Sequence, residues 1–357
     1  MINILFIIII FSLLVIAHEL GHFIAARRNG VAVDEFGIGF PPKLFGLKKR
    51  GTLYSINLLP IGGFVRLKGE DDQVVGKDSF SAQPYKAKTK IILAGVAVNL
   101  AIAYAILLIL MVAGLPAILP NGFVNVGPIK PASIEKSALL TVSVAKGSAA
   151  EKAGLKPGTE IIQLNSTPVL SFDQLRDFTQ ANAGQEVLIT TRKNGETKQV
   201  QVQLGNDPEA GYLGLVAQPI EIARYSPITA IFAAAIGVVQ LALATLAAFG
   251  SFIAGLFTKA QVSSSVAGPV GIVGLFTGVM QFGWRHVLAF IASISLSLAV
   301  INSLPIPGLD GGRFALITLA RLGFKITPKN EALVHYFGFG FLIILIVIVT
   351  ISDISRL

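Results

Sequence analysis

The sequence predicts a polytopic α-helical membrane protein with about four spans, a β-hairpin between the first two, and an α+β domain inserted outside the membrane. Three observations predict it: an apolar composition, four long apolar runs, and a central stretch that departs from both. Of 357 residues, 53% are hydrophobic and 14% charged, with a mean hydropathy of +0.71. Soluble domains carry about 25% charged residues. The net charge of +9 does not indicate nucleic acid, because the basic residues crowd into loops beside apolar runs, where the positive-inside rule puts them. With no cysteine, a metal would have to be held by imidazole and carboxylate.

Runs of about spanning length occupy residues 2–26, 90–114, 287–304 and 333–351. The first lacks a basic leader and a small-residue cleavage site, and reads as a retained helix. Between the first two spans lie Arg27, Arg28, Lys43, Lys48, Lys49, Arg50, Lys86, Lys88 and Lys90. That loop is expected in the cytoplasm and the N-terminus outside it. A further apolar stretch, 228–257, is interrupted by Gly237, Gly250 and Gly255; either it crosses as a hairpin with the next apolar run, 266–282, or neither crosses, and it is expected at or dipping into the outer surface. Residues 52–68 hold two runs of strand formers around Pro60 and Gly62-Gly63, the pattern of a hairpin. It either re-enters the membrane or lies on the surface. Residues 123–221 balance acidic and basic side chains and contain alternating segments such as 186–191 and 197–204, so they form the inserted domain. The expected division is 1–122 (membrane, with the loop 27–89), 123–221, 222–284 (interfacial helices) and 285–357 (membrane).

His18-Glu19-Leu20-Gly21-His22 continues the first apolar run without a break. Residues four apart in a helix share a face with Cβ atoms about 5–6 Å apart, close enough for two imidazoles to grip one ion. Glu19 then stands beside the ion without binding it. This is the logic of zincins: two histidines, a carboxylate as general base, and water whose pKa the zinc lowers toward about 7. Such strings also arise by chance in soluble helices. Here each ionisable group in lipid costs about 2.5–3.5 kcal/mol or more, and an ion makes three of them tolerable. From residue 20 to Arg27 at 1.5 Å per residue, the ion is expected about 10 Å below the cytoplasmic interface. Of four histidines in the chain, His286 falls at the outer end of a span and His335 at the start of the last. Asp310, in Asn302-Ser-Leu-Pro-Ile-Pro-Gly-Leu-Asp-Gly-Gly312, falls at the level of the two histidines and is the expected third ligand. Its alternative role is an N-cap for a helix over 313–322.

Together, His18–His22, Asp34-Glu-Phe-Gly-Ile-Gly-Phe40, Pro60-Ile-Gly-Gly-Phe-Val-Arg66, Gly268-Pro-Val-Gly-Ile272 and Asn302–Gly312 resemble the site-2 protease family of intramembrane metalloproteases. The resemblance is greatest to the bacterial branch that includes the regulator-of-sigma-E proteases, which cleave anti-sigma factors and remnant signal peptides. It covers nearly the whole chain. It implies four spans in the bacterial cytoplasmic membrane, one Zn2+ held by His18, His22 and Asp310, and Glu19 as catalytic base. It further implies substrate contacts by Asn302 and by Gly62, Gly63 and Phe64 of a re-entrant hairpin, with Asn99 as another candidate. Where the family often has Gly-Pro-x-x-Asn-Phe, this chain has Gly95-Val-Ala-Val-Asn99-Leu100. Many relatives also carry two tandem PDZ domains, and this chain has room for one.

Ser148–Ile162, with Gly154 and Gly158 at turns, resembles the PDZ signature. Tyr212, Leu213, Gly214 and Leu215 resemble the carboxylate-binding loop of the circularly permuted type. Such a domain either takes up a peptide or chain terminus by strand addition, or only gates access. The expected partners are single-pass membrane substrates and the bilayer, with no nucleic acid. Two other classes fit parts of the sequence: a scaffold with a structural metal, against which Glu19 argues, and a metal transporter, which would need more acidic relay residues.

Overall fold

The computed structural model describes residues 2–70, 76–116, 126, 129–193, 195–206, 211–258 and 267–355. The chain forms two compact units: Met1–Ala105, Val238–Phe276 and Ile291–Leu357 in one, Ile106–Gly237 and Thr277–Phe290 in the other.

The chain begins with α1 (Ile2–Arg28), mostly apolar before His18 and closed by Arg27 and Arg28, which suit the negative end of the helix dipole. Gly30, at φ +77°, ends it in a Schellman motif. The Val31 N–H donates to Ala26 O (2.9 Å) and the Gly30 N–H to Arg27 O (3.4 Å). Val31 and Ala26 then join Val33, Leu67, Phe80 and Ile91 in one buried cluster.

Two long strands follow, β1 (Val33–Lys49) and β2 (Thr52–Leu67). The reversal falls at Arg50-Gly51, both at positive φ, with Lys49 opposite Thr52. The two-residue primed turn is made where the chain can take positive φ twice; the chain also reverses around Pro60 and Gly62-Gly63 as expected, but the two arms pair with the middle of β1 between them rather than with each other. Both strands also bend on themselves. Phe36, for instance, faces Val65 on one side and Tyr54 on the other. Partner numbers fall against Val65 and rise together against Tyr54, so the middle of β1 is covered on both edges.

α2 (Tyr85–Ala113) packs closely on α1: a Cβ on Gly21 would lie 2.6 Å from the Ala94 carbonyl oxygen. Only a glycine allows that approach.

The second unit holds a sheet of β3 (Leu115–Pro116), β4 (Ser133–Val144), β5 (Glu160–Leu164), β6 (Thr167–Pro168), β7 (Glu186–Lys193), β8 (Glu196–Gln203) and β9 (Leu215–Arg224). The order is β3-β9-β4-β5-β7-β8, with β6 on β5, and the sheet runs past both expected borders, 123 and 221. Short helices α3 (Ala149–Lys152) and α4 (Phe172–Ala181) start at Ser148 and Ser171, whose hydroxyls accept from Glu151 N and Gln174 N. Leu139, Ile161, Leu164, Leu175, Val187, Ile189 and Val202 form its core. The alternation read at 186–191 and 197–204 is the hairpin of β7 and β8.

The remaining helices are α5 (Pro227–Thr258), α6 (Pro269–Met280), α7 (Trp284–Ser303), α8 (Asp310–Arg321) and α9 (Pro328–Ile354). α5 is one continuous helix, which corrects its reading as an interrupted stretch. Glycine weakens a helix in water by about 1 kcal/mol against alanine, but in an apolar medium no other conformation satisfies the backbone. Among the described residues five helices, α1, α2, α5, α7 and α9, are long and apolar enough to cross a membrane, against the four expected. The Asp353 carboxylate, buried in α9, accepts from Gly271 N (2.7 Å) in the first turn of α6. Gly268 and Gly271 leave the room it needs.

Candidate metal centre

His18 and His22 stand one turn apart on α1, both buried, with Nε2 atoms 3.1 Å apart. Asp310, from the other end of the chain, places Oδ2 at 3.0 Å from His18 Nε2 and 3.2 Å from His22 Nε2. The intervening sequence explains how. Pro305 and Pro307 cannot continue α7, which stops at Ser303, and Gly308 turns at φ +92°. α8 then starts against that turn: a Cβ on Gly311 would lie 2.2 Å from Ser303 O, and one on Gly312 2.2 Å from Ile306 O. The Asp-Gly-Gly sequence thus sets a carboxylate at the tip of a helix pressed onto bare backbone. Asp310 is the first residue of α8, and Leu309 is the N-cap residue, without a side-chain cap. The N-cap alternative for Asp310 is therefore set aside.

The three atoms fit a zinc ion. Bonds of about 2.0–2.1 Å in a tetrahedron put ligand atoms about 3.3 Å apart, close to the three separations found here. Asp310 Oδ2 is buried and finds no aligned donor among the described residues, despite its short distances to both rings. A Cβ on Gly95 of α2 would come within 2.4 Å of His22 Nε2 and 2.6 Å of His18 Nε2, so the glycine keeps clear the space beside both atoms. His22 Nδ1 lies 2.8 Å from Ile91 O. A proton on Nδ1 donates to that carbonyl and leaves Nε2 its lone pair. Among the described residues no other trio of potential ligands converges in this way.

Glu19 lines a polar cavity of about 190 Å³ with His18, Asp310, Asn302 and Asn99. Its Oε2 accepts from the Val65 N–H on β2 at 3.0 Å. Asn99 is fully buried, its amide nitrogen 3.5 Å from His18 Nδ1. Gly62, at φ +70°, donates its N–H to Ser12 Oγ (3.1 Å), and that hydroxyl donates to Pro60 O (3.2 Å), which pins β2 to α1. Gly63 packs on the Gly37 carbonyl, and the Phe64 ring covers Gly37. His286 is not one of the trio, and its Nδ1 lies 2.9 Å from Phe282 O. The side chain of His335 lies outside the described residues. A larger apolar cavity of about 320 Å³, lined by Leu20, Phe23, Phe36 and Phe45, holds none of these groups. In the loop after β2, Lys68 Nζ donates to both Asp78 oxygens (2.9 and 2.8 Å) and holds that carboxyl below its ordinary range.

In the second unit, Tyr212–Leu215 leads into β9, with Gly211 and Gly214 at φ +73° and +70°. Leu213 is buried, and its carbonyl accepts from Ala150 N (2.9 Å). Sequence reasoning missed three roles: the space left by Gly95, the Ile91 carbonyl and the Val65 N–H. The last two are main-chain groups that leave no mark in side-chain identity. Gly95 was visible only as the start of Gly-x-x-x-Asn.

Known proteins supply the class. The sequence model of peptidase family M50 matches residues 6–345. A protein of Clostridium acetobutylicum, named provisionally as a zinc metalloprotease, is 31% identical over 99% of this chain and 97% of its own length. The zinc metalloprotease RasP of Oceanobacillus iheyensis is 27% identical, covering 98% of each chain. The regulator of sigma-W protease RasP of Bacillus subtilis is 27% identical over 440 aligned positions, 98% of this chain and 97% of its own. An alignment longer than these 357 residues means that this relative carries segments absent here. The chain belongs to peptidase family M50, the site-2 proteases, and is a membrane zinc metalloprotease.

Proposed function

We propose that this protein is an intramembrane endopeptidase that cuts single-pass membrane proteins within or near their spans, with zinc held by His18, His22 and Asp310 and with Glu19 as general base. The observation that carries it is the convergence of three buried ligand atoms within 3.2 Å of one another, two of them on an apolar helix. Bound zinc supplies a Lewis acid that polarises the scissile carbonyl and makes water acidic enough to lose a proton near neutral pH. Glu19 takes that proton as water attacks the carbonyl carbon, and gives it to the amine as the C–N bond breaks. The Val65 N–H holds the carboxylate in place for both transfers.

A substrate helix shields every peptide bond with its own hydrogen bonds, so it must unwind and find new partners. Gly62, Gly63 and Phe64 of a re-entrant β2 offer backbone pairing beside Glu19, and Asn302 in the same cavity contacts the unwound chain. The N-terminus and residues 123–221 are extracytoplasmic in the bacterial cytoplasmic membrane, given the basic loop after α1. Residues 123–221 form a single PDZ domain of the permuted kind. Its loop Tyr212–Leu215 and the strand it enters receive the end of a substrate already trimmed outside, or screen out untrimmed ones. Anti-sigma factors and remnant signal peptides are the substrate classes, as in the regulator-of-sigma-E branch. The name of the B. subtilis relative supports the first.

The test is a single-span reporter in nanodiscs, with zinc content measured alongside. Glu19→Gln should retain zinc and fold while cleavage falls by about 10²–10⁴. A Glu19→Gln protein as active as wild type would sink the proposal.

A further inference from the structure

We propose that α2 is the outer layer of the metal centre and that Asn99 is the positioning residue of His18, holding its ring with Nδ1 protonated and Nε2 free for the ion. The inference rests on the zinc site proposed above and assigns Asn99 away from the substrate contact expected from sequence.

Ile91, Gly95 and Asn99 are spaced four apart, so they follow one another along one face of α2. His18 and His22 do the same on α1. The match runs in opposite senses: Ile91 O meets His22 Nδ1 (2.8 Å), Asn99 meets His18 Nδ1 (3.5 Å), and Gly95 between them faces both Nε2 atoms. A helical side chain covers the turn that precedes its own Cα. The missing side chain of Gly95 therefore bares the Ile91 carbonyl for a second acceptance and also leaves the ligand atoms uncovered.

Asn99 completes the pattern. Its side chain is fully buried, and its Oδ1 has no partner among the described residues while its amide nitrogen faces a ring nitrogen. Turned half a revolution, the amide fills the same space with oxygen and nitrogen exchanged. Oδ1 then accepts from His18 Nδ1–H, which gives the buried acceptor a donor and leaves the Nε2 lone pair for the metal. The residue is held where it must be: Ser295 Oγ on α7, itself fully buried, donates to the Asn99 main-chain carbonyl at 2.9 Å. Both histidines thus have their tautomer set by one helix, through a main-chain acceptor in one case and a side-chain acceptor in the other.

The full chain, purified with zinc, tests this. Asn99→Leu keeps the volume and removes the acceptor, and should weaken zinc about 10- to 100-fold in chelator competition. It should also shift the visible bands of the cobalt-substituted protein. Asn99→Asp restores an acceptor and should bring both readouts back toward wild type. In wild-type holoprotein with ¹⁵N-labelled histidine, His18 should show a protonated Nδ1 and a metal-bound Nε2, a result that needs no variant to fold. Wild-type zinc affinity and an unchanged cobalt spectrum in Asn99→Leu, or a His18 bound through Nδ1, would overturn the assignment. His22→Ala and Asp310→Ala separate the two levels. If they keep zinc, the site itself is wrong; if they lose it while Asn99→Leu does not, only the role of Asn99 falls.

Discussion

The Val65 main-chain N–H donates to Glu19 Oε2 across 3.0 Å, joining the strand β2 to the acidic residue between the two histidines. The proposed base is thereby oriented by the same strand that is proposed to receive substrate.

Val65→Pro removes this donor without touching any ligand. One hydrogen bond to a charged group contributes about 1.5 kcal/mol, so turnover should fall about tenfold. Zinc content should stay at the wild-type level. A kcat equal to wild type in the folded variant would show that the contact does not hold the base.

Gly95→Ala separates fold from metal. Alanine continues a helix at least as readily as glycine, yet its methyl would lie 2.4 and 2.6 Å from the two Nε2 atoms. Circular dichroism should report an intact helical protein. Zinc affinity should drop by roughly 100-fold, at the upper end of what outer-layer changes cause.

Gly311→Ala should damage both. Its Cβ would meet the Ser303 and Leu304 carbonyl oxygens at 2.2 and 2.3 Å, which are backbone atoms with little room to yield. Overpacking of this kind costs about 1–3 kcal/mol, and the relief available is a shift of the first turn of α8, which carries Asp310. A lower melting temperature together with reduced zinc is expected, where Gly95→Ala loses zinc alone.

Chelation should lower thermal stability as well as activity. Without the ion, two ring nitrogens and a carboxylate oxygen face one another at 3.0–3.2 Å. A ligand that binds only the folded state at 100 times its Kd stabilises by about 2.7 kcal/mol. Calorimetry of the full chain with and without chelator, in the same detergent, measures the difference.

Much of the centre is legible in the sequence because it rests on simple periods. His18 and His22 share a face by helical spacing, and the proline-glycine run before Asp310 announces a helix break at a fixed depth. The legible part stops where main-chain atoms act. Nothing in the identity of Val65 or Ile91 tells that its N–H or carbonyl meets Glu19 or His22. The reversal at Arg50-Gly51 was obscured by Pro60 and Gly62-Gly63, stronger turn formers that instead bend β2 against Ser12. Gly237 and Gly250 read as interruptions because glycine scales come from water, whereas α5, apolar over most of its length, stays one helix.

The close approach of α1 and α2 at Gly21 also leaves the place of the second reactant to the cavity on the ligand face. A methyl on Gly21 would meet the Ala94 carbonyl oxygen at 2.6 Å, so α1 and α2 could not keep their spacing there. The polar cavity of about 190 Å³ beside Glu19, with Asn302 and Gly308 at its border, has room for the water that hydrolysis consumes. A bulky apolar replacement at that rim would leave the reaction dry with its metal still in place.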